Sequence, residues 1–426
     1  MNLSKEHSLQ LYCLKNFLAG ISKDDIESLI TPDLNWDEFL KSAYWHGVDP
    51  ILYYALKNSQ ENCLIPKDII YTLKNSFCKT SAFNTAMYIE LAAISEGFSE
   101  KGISLIVFKG AALAKTVYSN VGFRKMIDID ILVRKEDLIH AESILKGLGY
   151  MFRGNRAPEW YRENYYHMLY ANPRKSTLVE LHWHVADSSY PSKIALTGNE
   201  IIDSWWVRAT WIEIDGTRMK ILCPEDSVFL LCLHFLKHRF QSPNGGYRGV
   251  FTSRNALIQL CDICLALKCY KDVFNWGRFN QELEKHGAKD VIYSTLFLVR
   301  KTFDNIEGSF INDRISPSPV DIDEDLFELI EKRLFDRDYV FSLTPMSFFQ
   351  SILDGNFQKK LKNITSALFP PREMISKLYS LPITSKRLHF YKLVYIYDFI
   401  KKNRKRISFG PTLEEAKVIN EWIGSD

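Results

Sequence analysis

Nowhere in these 426 residues is there an uninterrupted apolar run of the roughly 20 residues that a bilayer-spanning helix requires. The nearest approach, SVFLLCLHFL, is periodic and short, so no membrane span is expected. The first residues, MNLSKEHSLQLYCLKNFLAG, mix charge with short apolar patches and lack the apolar core and small-residue cleavage site of a secretory signal, which predicts a cytoplasmic protein. Net charge is scarce too. At +3 it is too small to imply a grip on nucleic acid or an anionic membrane unless the cations cluster. The eight cysteines are spread from Cys13 to Cys269, far from the dense framework of a small secreted domain, and reduced thiols are expected. Internal repeats and low-complexity linkers are lacking as well.

What remains is an ordinary globular composition, 46% hydrophobic, 13% aromatic and 25% charged, in a chain longer than one core usually serves. Two or three structural units are expected. From Leu11 to about Gly102 apolar residues recur at helical spacing, which predicts an N-terminal helical region over 1–100. An α/β core over 101–223 follows. It opens with ISLIVF, a β-branched run ending at Lys109-Gly110, after which AALAKTVY resumes a helical period. MIDIDILV then alternates strictly, with Ile127, Ile129, Ile131 and Val133 on one face and Asp128 and Asp130 on the other. EDLIHAESILKGLGY reads as a helix stopped near Gly149. TLVELHWHV alternates again, setting Glu180, His182 and His184 on one face against Val179, Leu181 and Trp183. Asp215-Gly216 between WIEI and TRMKIL signals a hairpin. From Pro224 to the end the period is helical, predicting a C-terminal helical domain over 224–426.

Two carboxylates at i and i+2 on one strand face, with a third on a neighbouring strand, suit hard divalent cations such as Mg²⁺ or Mn²⁺. Asp128, Asp130 and Glu180 supply that set. A strand that turns through a glycine into a helix offers backbone N–H groups and a positive helix end to phosphates, and Lys109 adds a point charge. His182 and His184 share the face of Glu180, where an imidazole can orient an acceptor, relay a proton or serve as hydrogen-bonded scaffolding. Cys232, His234 and His238 on one helix, with Cys261 and Cys264 spaced C-x₂-C, form a second metal candidate. Against it, both latter cysteines lie inside an amphipathic helix, where free cysteine is a small hydrophobe and Asp262 can pair with His234 or His238. The basic stretch from Lys359 to Arg406, with Phe390, Tyr391, Tyr395 and Tyr397 interleaved, admits nucleic acid as a partner, although a solvated helix face explains it better.

FKGAALAKTVYSNVGFRKMIDIDILV, followed by VELHW, resembles the signature of the uncharacterised bacterial nucleotidyltransferase family, a branch of the polymerase-β-like superfamily. The matching positions are Lys109, Gly110, Tyr118, Arg124, Asp128, Asp130 and Glu180, and HFLKH and LCDICLAL are similar to its helical half, extending the resemblance over most of 40–380. The wider superfamily uses a Gly-Gly or Gly-Ser turn with a shorter gap, whereas seventeen residues separate Gly110 from Asp128 here. The resemblance implies an α+β fold, a polymerase-β-like nucleotidyltransferase core with a mixed sheet flanked by helical regions. It implies Asp128, Asp130 and Glu180 as metal-binding catalytic residues, and Lys109, Gly110 and Arg124 as contacts of a nucleoside triphosphate. The activity implied is Mg²⁺- or Mn²⁺-dependent transfer of a nucleoside monophosphate to an acceptor that the sequence leaves open (small molecule, peptide, protein or RNA), with release of pyrophosphate. The alternatives are a catalytically silent binding module or toxin–antitoxin component, and, on the cysteine–histidine set, a zinc-dependent hydrolase.

Overall fold

The computed structural model describes residues 3–20, 24–57, 64–154, 156–185, 196, 198–240, 254–303 and 324–335, with scattered positions between 385 and 394. One compact unit comprises Met1–Leu236 and Ser253–Phe335, and a second comprises Lys237–Thr252 and Asp336–Asp426. The account below concerns the first. The basic stretches KKLK and KKNRKR lie outside the described residues.

Helices form the N-terminal layer: α1 (Lys5–Ala19), α2 (Trp36–His46), α3 (Asp49–Leu56) and the 33-residue α4 (Lys67–Ser99). Their ends follow from local chemistry. The Ser4 hydroxyl accepts from the His7 amide, the Asn35 side chain accepts from the Glu38 amide, and Gly20 and Gly47 close α1 and α2 in the left-handed conformation. The far half of α4 buries Met87, Leu91, Ile94 and Phe98 against the sheet.

That sheet is mixed and seven-stranded. Its strands are β1 (Ile106–Val107), β2 (Asp128–Leu132), β3 (Met151–Phe152), β4 (His167–Asn172), β5 (Thr177–His182), β6 (Thr210–Ile214) and β7 (Thr217–Ile221), in the order β3-β4-β5-β2-β1-β7-β6. β2 pairs parallel with β5 and antiparallel with β1, β1 pairs parallel with β7, and β4 pairs antiparallel with β5. Helices α5 (Lys109–Thr116), α6 (Leu138–Gly147), α7 (Pro158–Asn164) and α8 (Glu200–Arg208) fill the connections. Ile129, Ile131, Val179 and Leu181 enter one core with Leu138, Ala141 and Leu145 of α6. Asp128, Asp130, Glu180 and His182 therefore share the opposite face. At the far edge, Asp215 and Gly216 both take the positive φ that a primed hairpin turn needs (48° and 79°), as the Asp-Gly signal anticipates.

Four expectations change. The first strand pairs only at Ile106–Val107, much less than the whole ISLIVF run. β2 begins at Asp128, so Ile127 lies outside the strand and is 60% exposed. β5 ends at His182, which leaves His184 beyond the row it was expected to extend. β3 and β4 were not anticipated.

Beyond the sheet run α9 (Pro224–Phe240), α10 (Ala256–Cys269), α11 (Trp276–Lys285), α12 (Lys289–Thr302) and α13 (Glu324–Arg333). Every residue of α10 from Ala256 to Leu267 is buried, Gln259 and Asp262 included, so this helix is buried all round rather than on one face. Its Lys268 ammonium donates to the Leu18 and Ala19 carbonyls at the end of α1, at 2.6 and 3.1 Å. Among the described residues no helix is long and apolar enough to cross a membrane.

The loop into β2 is pinned from α4. Asn84, fully buried, donates through Nδ2 to the carbonyls of Val121 and Arg124 at 2.6 and 2.7 Å. A Cβ on Gly122 would lie 2.7 Å from the Phe77 ring, so the loop needs glycine to approach that closely. Asn84→Ala strands two buried carbonyls and should lower the unfolding free energy by about 2–3 kcal/mol in urea titrations, whereas Thr85→Ala on the exposed side should leave it nearly unchanged.

Candidate active site

Strand pairing builds the site. β2 and β5 set Asp130 directly against Glu180, and β5 and β4 set His182 against His167. Into this row comes Lys109, the first residue of α5, whose ammonium lies 2.5 Å from Asp130 Oδ1 and 3.8 Å from Glu180 Oε2. Its backbone sits at φ +52°, a left-handed conformation that disfavours a lysine by about 1–2 kcal/mol. Strain of this kind persists where surrounding contacts fix it, and the ion pairs do so here.

His182 is the hinge of the cluster. Its Nε2 lies 3.1 Å from Asp130 Oδ1 and 3.2 Å from Glu180 Oε2, while Nδ1 faces the His184 carbonyl at 3.3 Å. With oxygens at both nitrogens the ring is held as a double donor. Burial and the Lys109 charge oppose protonation, but the bonds to Asp130 and Glu180 prevail and raise its pKa. Phe108 packs edge-on to it at 5.0 Å, and His167 stacks on its other side at 4.8 Å.

The acids are driven apart in proton affinity. For Asp128, burial first and then the charges of Asp130 and Glu180 push the pKa up to about 7. Asp130 is more deeply buried, yet Lys109 and His182 overcome the burial and hold it far below the usual carboxylate range. Glu180 resists burial through its bond from His182 and the Lys109 charge, and falls to about 2. His167, which sequence reading passed over, has Nε2 3.7 Å from Glu180 Oε1, and burial keeps its imidazole neutral with a pKa of about 3. Among the described residues its buried Nδ1 has no hydrogen-bond partner.

A divalent cation fits these donors. Asp130 and Glu180 offer carboxylate oxygens, with His182 Nε2 within 4.8 Å of both and able to ligate only once it gives up its proton, and the three are the one such group among the described residues. Burial first, and then the charges of Asp130 and Glu180, raise the Asp128 carboxyl, and a cation would relieve the second of these. Cys232, Cys261 and Cys264 are buried as core thiols, and among the described residues none of them belongs to such a group.

The other expected residues fall around this centre. Gly110 begins the first turn of α5, and a Cβ there would sit 3.4 Å from Met126 and 3.9 Å from Arg124 Nη1. Arg124 itself is ion-paired with Asp262, Nη2 to Oδ2 at 2.8 Å, and Tyr118 donates to the same carboxylate at 2.7 Å. Among the described residues Asp262 thus takes its bonds from Arg124 and Tyr118. His184 points elsewhere, its Nε2 3.2 Å from the Gly198 carbonyl.

A family model described as an uncharacterised nucleotidyltransferase matches residues 32–304, well over half of the chain. The chain belongs to this family. The match ends before the 305–380 stretch to which the resemblance was extended. Among curated proteins nothing matches. Two solved structures share stretches of chain at low identity. The solution structure of the antibiotic-resistance factor ANT(2'')-Ia is 13% identical, covering 48% of this chain and 95% of its own, with a TM-score of 0.29. An antigenic nucleotidyltransferase-like protein from Paracoccidioides brasiliensis is 14% identical, covering 48% and 87%, with a TM-score of 0.27. Superpositions this loose add nothing to the fold or the site of this family member.

Two outcomes follow from the charges. Asp128 has its pKa raised from 3.8 to about 7, so its ionisation opposes folding: the penalty is absent below about pH 4, grows up to about pH 7 and is constant above. In metal-chelated buffer Asp128→Asn should therefore raise the melting temperature by ~2–4 °C at pH 8 and leave it nearly unchanged at pH 4. Lys109→Met removes the cation that offsets Asp130 and Glu180. The variant should melt below the wild type without metal, and Mn²⁺ should raise its melting temperature by more than it raises that of the wild type.

Proposed function

We propose that this protein is a divalent-metal-dependent nucleotidyltransferase, moving a nucleoside monophosphate from a nucleoside triphosphate to an acceptor and releasing pyrophosphate. The observation that carries the reading is the convergence of Asp128, Asp130, Glu180, Lys109 and His182 on one sheet face beside the first turn of α5, in a chain of nucleotidyltransferase family.

Asp128, Asp130 and Glu180 would hold the metal, with His182 fixing the last two. When bound, the metal supplies positive charge to the reacting phosphate oxygens and lowers the barrier as a Lewis acid. Glu180, set directly against Asp130 on the neighbouring strand, would complete the metal site. The backbone N–H groups of Gly110 and its neighbours, with Lys109 and Arg124, would receive the triphosphate. Lys109 is suited to exchange partners: a four-carbon stem lets its ammonium leave the carboxylates for a phosphate once they have another cation. In the transfer, the acceptor oxygen bonds to the α-phosphorus as the bond to the pyrophosphate breaks. We propose that the helical regions before and after the 101–223 core shape the acceptor side, and that the reaction takes place in the cytoplasm.

The test is incubation of purified protein with each labelled triphosphate, Mg²⁺ or Mn²⁺ and cell extract, following label into macromolecules and small metabolites. Wild type should transfer label only with metal present. Asp128→Ala and Asp130→Ala should each reduce transfer by at least about a hundredfold. Equal and negligible transfer by wild type and variants, with no triphosphate binding by calorimetry, would instead identify a silent binding module.

A further inference from the structure

Arg124 stands at the edge of the site, and it is reached from an element more than a hundred residues along the chain. Asp262, 1% exposed in the middle of α10, receives Arg124 Nε at 2.8 and 3.0 Å and Nη2 at 2.8 Å, together with the Tyr118 hydroxyl at 2.7 Å. This is a side-on grip, made with the Nε–Nη2 edge of the guanidinium. Nη1 also donates to the Lys125 carbonyl. Of the five N–H bonds of an arginine, one on each terminal nitrogen is left over among the described residues.

Nη1 and Nη2 together form the end-on edge of the fork, the edge that engages a phosphate through paired bonds. Their position is informative. Nη1 lies 3.9 Å from where a Cβ on Gly110 would be, so the guanidinium flanks the first turn of α5, and Gly110 keeps a side chain out of the space between. A guanidinium on a free stem would lose rotamer freedom on engaging phosphate, whereas this one is already fixed by a buried carboxylate. The carboxylate is fixed in turn, because α10 is buried along its length and tied to α1 through Lys268.

Resting on the nucleotidyl-transfer reading above, we infer that Asp262 is a positioning residue for the triphosphate. Through Arg124 it sets a phosphate fork at the start of α5, so the C-terminal helices govern affinity for the donor substrate without touching it. Asp262 and Tyr118 are then parts of the nucleotide site although neither faces it.

Binding of magnesium tripolyphosphate, and separately of MgATP, MgGTP, MgCTP and MgUTP, to the full chain would be measured by calorimetry for wild type, Arg124→Gln, Asp262→Asn, the double variant and Arg124→Lys, with melting curves for each. Asp262→Asn should weaken tripolyphosphate binding about tenfold, as Arg124→Gln does, and the double variant should be no weaker than Arg124→Gln alone. Arg124→Lys keeps the charge at 124 but loses the two-armed grip, and it too should lose about tenfold, which tests positioning even if Asp262→Asn fails to fold. Wild-type affinity in folded Asp262→Asn, additive losses in the double variant, or full binding by Arg124→Lys would overturn the inference alone. A wild type that binds neither tripolyphosphate nor any of the four nucleotides would overturn the transferase reading and this inference with it.

Discussion

Negative charge confined to one patch of sheet is the constraint to which the surrounding structure answers. Asp128, Asp130 and Glu180 sit on adjacent strands, where like charges at such separations destabilise each other and burial removes the water that would screen them. Two side chains take up most of the excess. Lys109 comes to Asp130 at the expense of a left-handed backbone, and His182 is held as a double donor between Asp130 and Glu180. For Asp128 burial comes first and the charges of Asp130 and Glu180 second, and together they drive its carboxyl upward. The arrangement stores a deficit of positive charge at a single point, and a divalent ion is the species that fills such a deficit most directly.

The same constraint bears on the fold. The face opposite the carboxylates is the core of the molecule, with Ile129, Ile131, Val179 and Leu181 packed under α4 and α6. Slipping β2 by one residue against its neighbours would send the aspartates into that core and the isoleucines into the site, so the apolar half of each strand enforces the register of the polar half. Asn84 extends this control to the loop, anchoring the backbone of Arg124 only four residues before Asp128. Packing on one side of the sheet thus dictates geometry on the other.

Much of this was legible because alternation is a strong signal where a strand has one buried and one functional face. MIDIDILV and VELH are strands of that kind, and the Asp-Gly turn announces its own backbone. β4 was not legible for the complementary reason: HMLYAN is buried on nearly both faces, so period-2 contrast is missing and His167 carries no mark of its proximity to Glu180. Ile127 continues the alternation in sequence but not in pairing, since the strand starts one residue later. The partner of Asp262 could not be read at all. A carboxylate within a helix buried all round has no face to indicate its direction, and its bonds to Tyr118 and Arg124 span more than a hundred residues.

The two cations near the site differ in how they are held, and the difference assigns them different work. Lys109 is bound to the carboxylates themselves, through an ammonium that can rotate on its stem, so its position depends on whatever else neutralises Asp130 and Glu180. Arg124 is bound to Asp262, which lies on another element and has no part in the charge balance of the patch. On the proposed reading, Asp128, Asp130 and Glu180 would hold a metal that supplies the positive charge Lys109 now gives them, while Arg124 would keep its own partner. A triphosphate arriving with its metal would therefore meet one fixed fork and one newly freed ammonium, whereas a triphosphate arriving without metal would meet the fork alone, with the carboxylates still holding Lys109 and repelling the phosphates. On the proposed transferase reading, the ion pairing of the free protein would favour the metal-bound nucleotide over the free one.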